Sequence, residues 1–214
     1  MVTLQLRQLS VPWGQRLLIH DLSWREFEAV LGELGEKRSS TIAYSAGTLE
    51  IRMPLPEHEV DKELIGDFVK MLLEELELDC ECFGSTTFKN QKTESGLEPD
   101  QCFYIQNHQQ MRGRRRINLE IDPPPDLAIE VDVTSKTQID AYRGLGVPEL
   151  WVYEDNQLKL YALQSGQYQS VAISPLFPNF PISSWVAELL AQSREMGRSP
   201  ALRAFRQKIR AALC

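Results

Sequence analysis

Residues 126–136, DLAIEVDVTSK, decide how the rest of this chain is read. With a period of two, Leu127, Ile129, Val131 and Val133 point to one face of a strand. Ala128, Glu130, Asp132 and Thr134 point to the other. The Val and Ile content favours a strand, so two carboxylates sit side by side on one of its faces. Residues 136–146, KTQIDAYRGLG, follow as a short helix, and GVPELWVY, 146–153, as a further strand. A strand–helix–strand unit of this kind covers both sheet faces and buries the acidic one at least in part. Buried carboxylates require a metal, a cation or a proton.

Outward from this unit the chain divides into recognisable elements. Residues 1–20, with Pro12 and Gly14, read as an extended arm. A helix is expected over 22–34, capped by Asp21 or Ser23, with Trp24, Phe27, Val30, Leu31 and Leu34 on one stripe. Residues 39–53 read as a hairpin whose turn uses Gly47. Pro56 opens a long amphipathic helix that runs to about Leu78 and buries Val60, Leu64, Ile65, Phe68, Leu72, Leu73 and Leu76. Glu57 and Glu59 suit its positive end, and His58 reads as a surface or loop histidine. Strands are expected over 80–89 and 98–105, with Asp100 at the mouth of the second; Pro-Asp alone reads as a turn. Residues 107–125 form a basic, proline-terminated loop, 158–163 and 167–173 a hairpin about Ser165-Gly166, and 183–214 two C-terminal helices. The second of these is capped by Ser199 and has Pro200 at its first position. Tyr142, Pro148 and Trp151 read as core and turn residues.

With 214 residues, 43% hydrophobic and 25% charged, the chain suits one soluble globular domain over 1–214. No apolar run approaches the ~20 residues of a membrane span, and the start lacks a signal peptide's apolar core, so the expected location is the cytoplasm. Cys80, Cys82, Cys102 and Cys214 show no zinc spacing and read as reduced thiols. A net charge of −7 argues against a general nucleic-acid coat protein. A nucleic-acid enzyme with local basic patches stays open, and two such patches exist, Arg112–Arg116 and the segment carrying Arg203, Arg206, Lys208 and Arg210.

Glu57, Asp100 and Glu130 form an ordered acidic series. Carboxylates on adjacent strands suit Mg²⁺ or Mn²⁺, which takes one or two of them plus waters and phosphate oxygens, and the Val131 carbonyl could add a third protein oxygen. Pro99-Asp100, the run 124–135 around Glu130, and Tyr142-x-x-Leu-Gly-Val-Pro-Glu-Leu-Trp151 together resemble the Uma-type restriction-endonuclease-like family of the PD-(D/E)XK nuclease superfamily. Glu57-His58 and Phe83-Gly84-Ser85 add to the resemblance, which spans about residues 20–190. It implies an α/β (α+β mixed) fold, a mixed β-sheet flanked by helices, and a divalent-metal-dependent endonuclease acting on nucleic acid, DNA foremost. A homodimer, with two sites for a two-strand cut, is the expected assembly.

Carried over residue by residue, the resemblance makes Asp100 and Glu130 the metal ligands. The place of the superfamily's Lys holds Asp132, and the place of the helix Lys found in many family members holds Gln138. Lys136 stands at the strand–helix junction as the substitute that would position water. Asp132 is either a further ligand or a carboxylate paired with Lys136, and Glu57 would assist. The alternative from another class is a catalytically silent nuclease-fold module that binds nucleic acid or a protein partner.

Overall fold

The computed structural model describes residues 5–35, 39–131 and 135–213, so Asp132, Val133, Thr134 and Cys214 lie outside the described residues. In chain order, β1 (Arg16–Ile19) leads to α1 (Trp24–Leu34). Ser23 caps that helix by accepting from the Glu26 amide, while the Ser23 amide donates back to the Glu26 carboxylate at 2.8 Å. The hairpin of β2 (Thr41–Ser45) and β3 (Thr48–Arg52) turns on Ala46 and Gly47, with φ of 45° and 81°. Next come α2 (Pro56–Glu75), β4 (Glu81–Cys82), β5 (Phe88–Asn90), β6 (Ser95–Leu97), β7 (Gln101–Tyr104) and a single helical turn, α3 (His108–Met111). The central unit is β8 (Leu127–Val131), α4 (Lys136–Leu145) and β9 (Glu149–Glu154). The hairpin of β10 (Gln157–Gln164) and β11 (Gln167–Val171) precedes α5 (Ile182–Met196) and α6 (Arg198–Leu213).

These strands form two sheets. One is antiparallel, in the order β1-β3-β2-β6-β5, and the other runs β11-β10-β9-β8-β7-β4. In the second sheet β8 pairs parallel with β9 and antiparallel with β7, so the sheet is mixed. All five residues of β8 are buried. Leu127, Ile129 and Val131 pack with Ile65 and Phe68 of α2, Val186 of α5 and Phe205 of α6. Each such side chain contributes roughly 1.5–3 kcal/mol on burial. Ala128, on the opposite face, packs with Ala141 and Tyr142 of α4, which also meets Ala43 and Leu97 of the first sheet. The crossover helix is thus held between the two sheets, directly over the acidic face of β8.

That position demands close approach. A Cβ on Gly144 would lie 2.8 Å from Ser95 Cβ and 1.9 Å from its Oγ. The hydroxyl can rotate away, but the Cβ is fixed to β6. Gly144→Ala is therefore expected to cost about 1–3 kcal/mol, the usual range for overpacking. Urea unfolding would read this as a lower midpoint with an unchanged slope; an unaltered midpoint would contradict the tight α4–β6 contact.

Several elements differ from the sequence reading, each for a tertiary reason. The arm over 1–20 contains β1, whose main chain pairs with β3. The strand expected over 80–89 is two strands in different sheets, broken around Gly84 at φ 55°. The segment between the strands expected over 80–89 and 98–105 contains β6, recruited by β2 and β5 on either side. The buried stripe of α2 begins at His58, 3% exposed, while Val60 is 64% exposed. The last helix starts at Arg198 rather than after Ser199, because the Gly197 carbonyl accepts from Ala201 N at 3.2 Å. Pro200 then sits in the first turn, where its missing N–H has no helical partner to lose.

Candidate active site

The register of β7 and β8 brings the two acidic residues together. Gln101 pairs with Ile129, so Asp100, one residue earlier, lies beside the end of β8 that carries Glu130. The Val131 amide donates to Asp100 Oδ2 at 2.8 Å. Both carboxylates are buried, Asp100 at 2% exposure and Glu130 at 1%. The Tyr142 hydroxyl, from α4, donates to Glu130 Oε1. Glu130 Oε2 has no hydrogen-bond partner among the described residues.

Two basic side chains close the cluster. His58, near the start of α2, lies with Nε2 3.0 Å from Asp100 Oδ2 and 2.9 Å from the Val131 carbonyl oxygen. Arg52 ends β3 and reaches across from the other sheet. Its Nη1 donates to the Val131 carbonyl at 3.3 Å, and its Nη2 lies 3.5 Å from Glu130 Oε2 and 3.8 Å from Asp100 Oδ1. The strand register and the β3–α2 junction thus converge on one small volume.

The electrostatics split the two carboxylates. Burial opposes the charge of Asp100, but His58, Arg52 and the Val131 N–H outweigh it and hold its carboxyl below the ordinary range. For Glu130, burial and then the charge of Asp100 push the carboxyl well above that range, and Arg52 and Tyr142 return only part of the shift. Burial also opposes the charge of His58 and Arg52, yet Asp100 raises the imidazole and Glu130 and Asp100 raise the guanidinium. Burial first, and Glu130 second, raise the Tyr142 phenol well above its ordinary value. Opposed shifts in adjacent titratable groups are characteristic of functional sites.

The donor atoms suit a hard cation. Asp100, Glu130 and the Val131 carbonyl offer oxygens only, and Glu130 Oε2, which faces Arg52 at 3.5 Å, accepts no hydrogen bond among the described residues. Among the described residues no three His, Cys, Asp or Glu side chains converge to enclose a metal. A cation here would rest on two carboxylates, one carbonyl and water, which is the habit of Mg²⁺.

Other expected site residues fall elsewhere. Lys136 is the first residue of α4 with an exposed side chain, and no hydrogen bond or ion pair joins it to either carboxylate among the described residues. Glu57 is exposed beside His58, and it is the histidine that points inward. Asp132 lies outside the described residues. Gln138 is buried on the same helical face as Tyr142, and its Oε1 has no hydrogen-bond partner among the described residues. His58, expected at the surface or in a loop, is instead buried against Asp100, and Arg52 escaped the sequence reading. A signal for His58 was present: with Ile65 and Leu72 it makes a heptad-spaced stripe on α2. Arg52, at the end of a hairpin strand, had none.

A hollow of about 510 Å³ opens onto Asp100, lined also by Trp13, Thr41, Lys62, Ser85 and Glu98. Ser85, from the Phe83-Gly84-Ser85 bend, faces it because that bend crosses from one sheet to the other. The basic loop is remote from this opening. It joins β7 to β8 at the far end of both strands, where Asp126 accepts from the Ile105 amide at 2.7 Å and the Asn107 amide at 3.1 Å. At ~3.3 Å per strand residue, Asp126 and Glu130 are separated by roughly 13 Å. In α6, Arg206 and Arg210 pair with Glu74 and Glu75 of α2, and Lys208 pairs with Glu188.

The comparison with curated proteins returned no match. A crystal structure of a protein from Anabaena variabilis ATCC 29413, described as "a putative nuclease belonging to DUF820", matches with a TM-score of 0.53. The match covers 78% of this chain and 97% of that one at 16% identity, so what is shared is the restriction-endonuclease-like fold. The family model described as "Uma2: Putative restriction endonuclease" matches residues 24–192, from α1 into α5. By that match over most of its length, the chain belongs to the Uma2 family.

Proposed function

We propose that this protein is a divalent-metal-dependent endonuclease that hydrolyses phosphodiester bonds of nucleic acid, DNA foremost, at the Asp100–Glu130 pair. The observation that supports this most is the pairing of two fully buried carboxylates with opposed protonation preferences beside an open hollow. Mg²⁺ or Mn²⁺, when bound, would polarise the phosphate and lower the pKa of an attacking water.

In this reading Asp100, Glu130 and the Val131 carbonyl hold the cation. The Val131 amide fixes the Asp100 carboxylate, and the Tyr142 hydroxyl fixes Glu130, so neither needs to reorganise on binding. Asp132, Lys136 and Glu57 keep the assisting roles that the family resemblance gave them: a further ligand, a water-positioning cation and a helper at the start of α2. No helix among the described residues is long and apolar enough to cross a membrane. One chain supplies one such pair, so a single copy would nick one strand and a pair of copies would be needed for both.

The test is nicking of supercoiled plasmid in millimolar Mg²⁺ or Mn²⁺. Wild type is expected to nick, and Asp100→Asn and Glu130→Gln to lose at least ~10²-fold in rate, as when one main electrostatic contributor to catalysis is removed. Undiminished nicking by both variants would overturn the assignment. A second reading has its own support, because Arg52 and His58 already balance the acidic pair. A silent module would bind nucleic acid or a protein without cleavage, with binding unchanged by Glu130→Gln.

A further inference from the structure

The Arg52 guanidinium touches the three oxygens on which the proposed cation would rest. It is 3.3 Å from the Val131 carbonyl, 3.5 Å from Glu130 Oε2 and 3.8 Å from Asp100 Oδ1. Its Nε also donates to Thr41 Oγ1 at 3.5 Å, and Thr41 lines the hollow that opens onto Asp100. The guanidinium thus divides its charge between both carboxylates and the carbonyl. It also has somewhere to go, since Arg52 lines an adjoining hollow of about 270 Å³ with Gly14, Arg16, Pro54 and His58.

Charge balance sharpens the point. With Arg52 in place, two buried carboxylates are met by a guanidinium and an imidazole. Adding a divalent cation to the same oxygens would set like charges a few ångströms apart in a poorly screened site, so one of them has to leave. Both line the adjoining hollow, but the imidazole is the more enclosed, with 2% of its side chain exposed against 12% for Arg52, which hangs from a strand end. A guanidinium displaced by that distance stays next to the opening and meets the negative oxygens of a phosphodiester, for which its planar fork of donors is suited. It would then supply, from β3, positive charge to a carboxylate pair with which no Lys makes an ion pair among the described residues.

We propose that Arg52 is a resident counter-cation that cedes its place to the divalent metal and then binds the scissile phosphate. This rests on the nuclease reading for its second half only. The first half is a statement about metal affinity and is measured without any substrate.

The experiment compares wild type, Arg52→Met and Arg52→Lys at pH 8, using Mn²⁺ alone in calorimetry and then supercoiled plasmid at saturating Mn²⁺. Arg52→Met is expected to bind Mn²⁺ about tenfold more tightly, a difference of ~1.4 kcal/mol, yet to nick at least ~10²-fold more slowly. Arg52→Lys, which keeps a charge and guards against a folding defect in the Met variant, is expected to lie between the two in both measurements. Equal or weaker Mn²⁺ binding by Arg52→Met would overturn the counter-cation role, and wild-type nicking by it would overturn the phosphate role. If wild type binds Mn²⁺ but does not nick, the nuclease reading fails while the affinity comparison still decides the first half.

Discussion

Asp100→Ala is expected to destabilise the protein by about 3–5 kcal/mol at pH 7, the cost of removing one partner from a buried ion pair. Three groups are affected at once. The buried Val131 N–H loses its acceptor, His58 loses its nearest anion, and Arg52 loses one of the two carboxylates it faces. Asp100→Asn is the informative contrast: it still accepts from Val131, so it should recover the ~1–3 kcal/mol that an unsatisfied buried amide costs. The pH dependence has a definite sign. The native carboxyl of Asp100 titrates below its ordinary value, so its contribution is complete above the unfolded value, about 4. It is lost as pH falls through the lowered native value. The gap between wild type and Asp100→Ala in urea unfolding should therefore be widest near neutrality and close below about pH 4. A gap under ~1 kcal/mol at pH 7 would mean that Asp100 does not organise the cluster.

Glu130→Gln should do the opposite to stability while removing activity. The Glu130 carboxyl titrates well above its ordinary value in the native state, because it is buried beside ionised Asp100. Its contribution is present below the unfolded value, about 4.3, and is lost as pH rises through the native value. In metal-free protein at pH 8, well above the unfolded value, the buried Glu130 carboxyl is thus a cost that glutamine avoids, while the amide oxygen can still accept from Tyr142. Glu130→Gln is expected to be more stable than wild type at pH 8, read as a higher urea midpoint, and to match it near pH 4. Mn²⁺ should reverse the order, since a ligand at 100 times its Kd stabilises the native state by about 2.7 kcal/mol and the glutamine variant would hold it poorly. A variant less stable than wild type at pH 8 without metal would show that Arg52 fully compensates an ionised Glu130. Such a pair, stabilising in function and destabilising in fold, is the usual trade at a catalytic centre.

What could be read from the sequence was what local patterning controls. The alternation in 127–133 marked β8 and assigned Glu130 to the face opposite Leu127 and Ile129, where the structure has it. The cap candidates Asp21 and Ser23, of which the structure uses Ser23, and Pro56 marked two helix starts because capping is a matter of a few consecutive residues. What could not be read was long-range pairing. Ser95–Leu97 carries no β-branched residue, and only β2 and β5 on its two sides make it a strand. Residues 80–89 look continuous, yet the bend around Gly84 sends their halves to different sheets. The same limit governs the site. Asp100 and Glu130 stood out as acidic residues at the end of one strand and inside the next. Arg52 and His58 come from β3 and α2, and neither position means anything until the two sheets close on each other.

The claim on which everything else depends is that the Asp100–Glu130 pair takes a divalent cation. A crystal of the wild-type protein soaked in Mn²⁺ at pH 8, with data collected at the manganese edge, tests it most directly. An anomalous peak bounded by Asp100, Glu130 and the Val131 carbonyl, with Arg52 turned away from all three, is the expected result. No peak there at millimolar Mn²⁺, with the guanidinium still seated between the carboxylates, would contradict it.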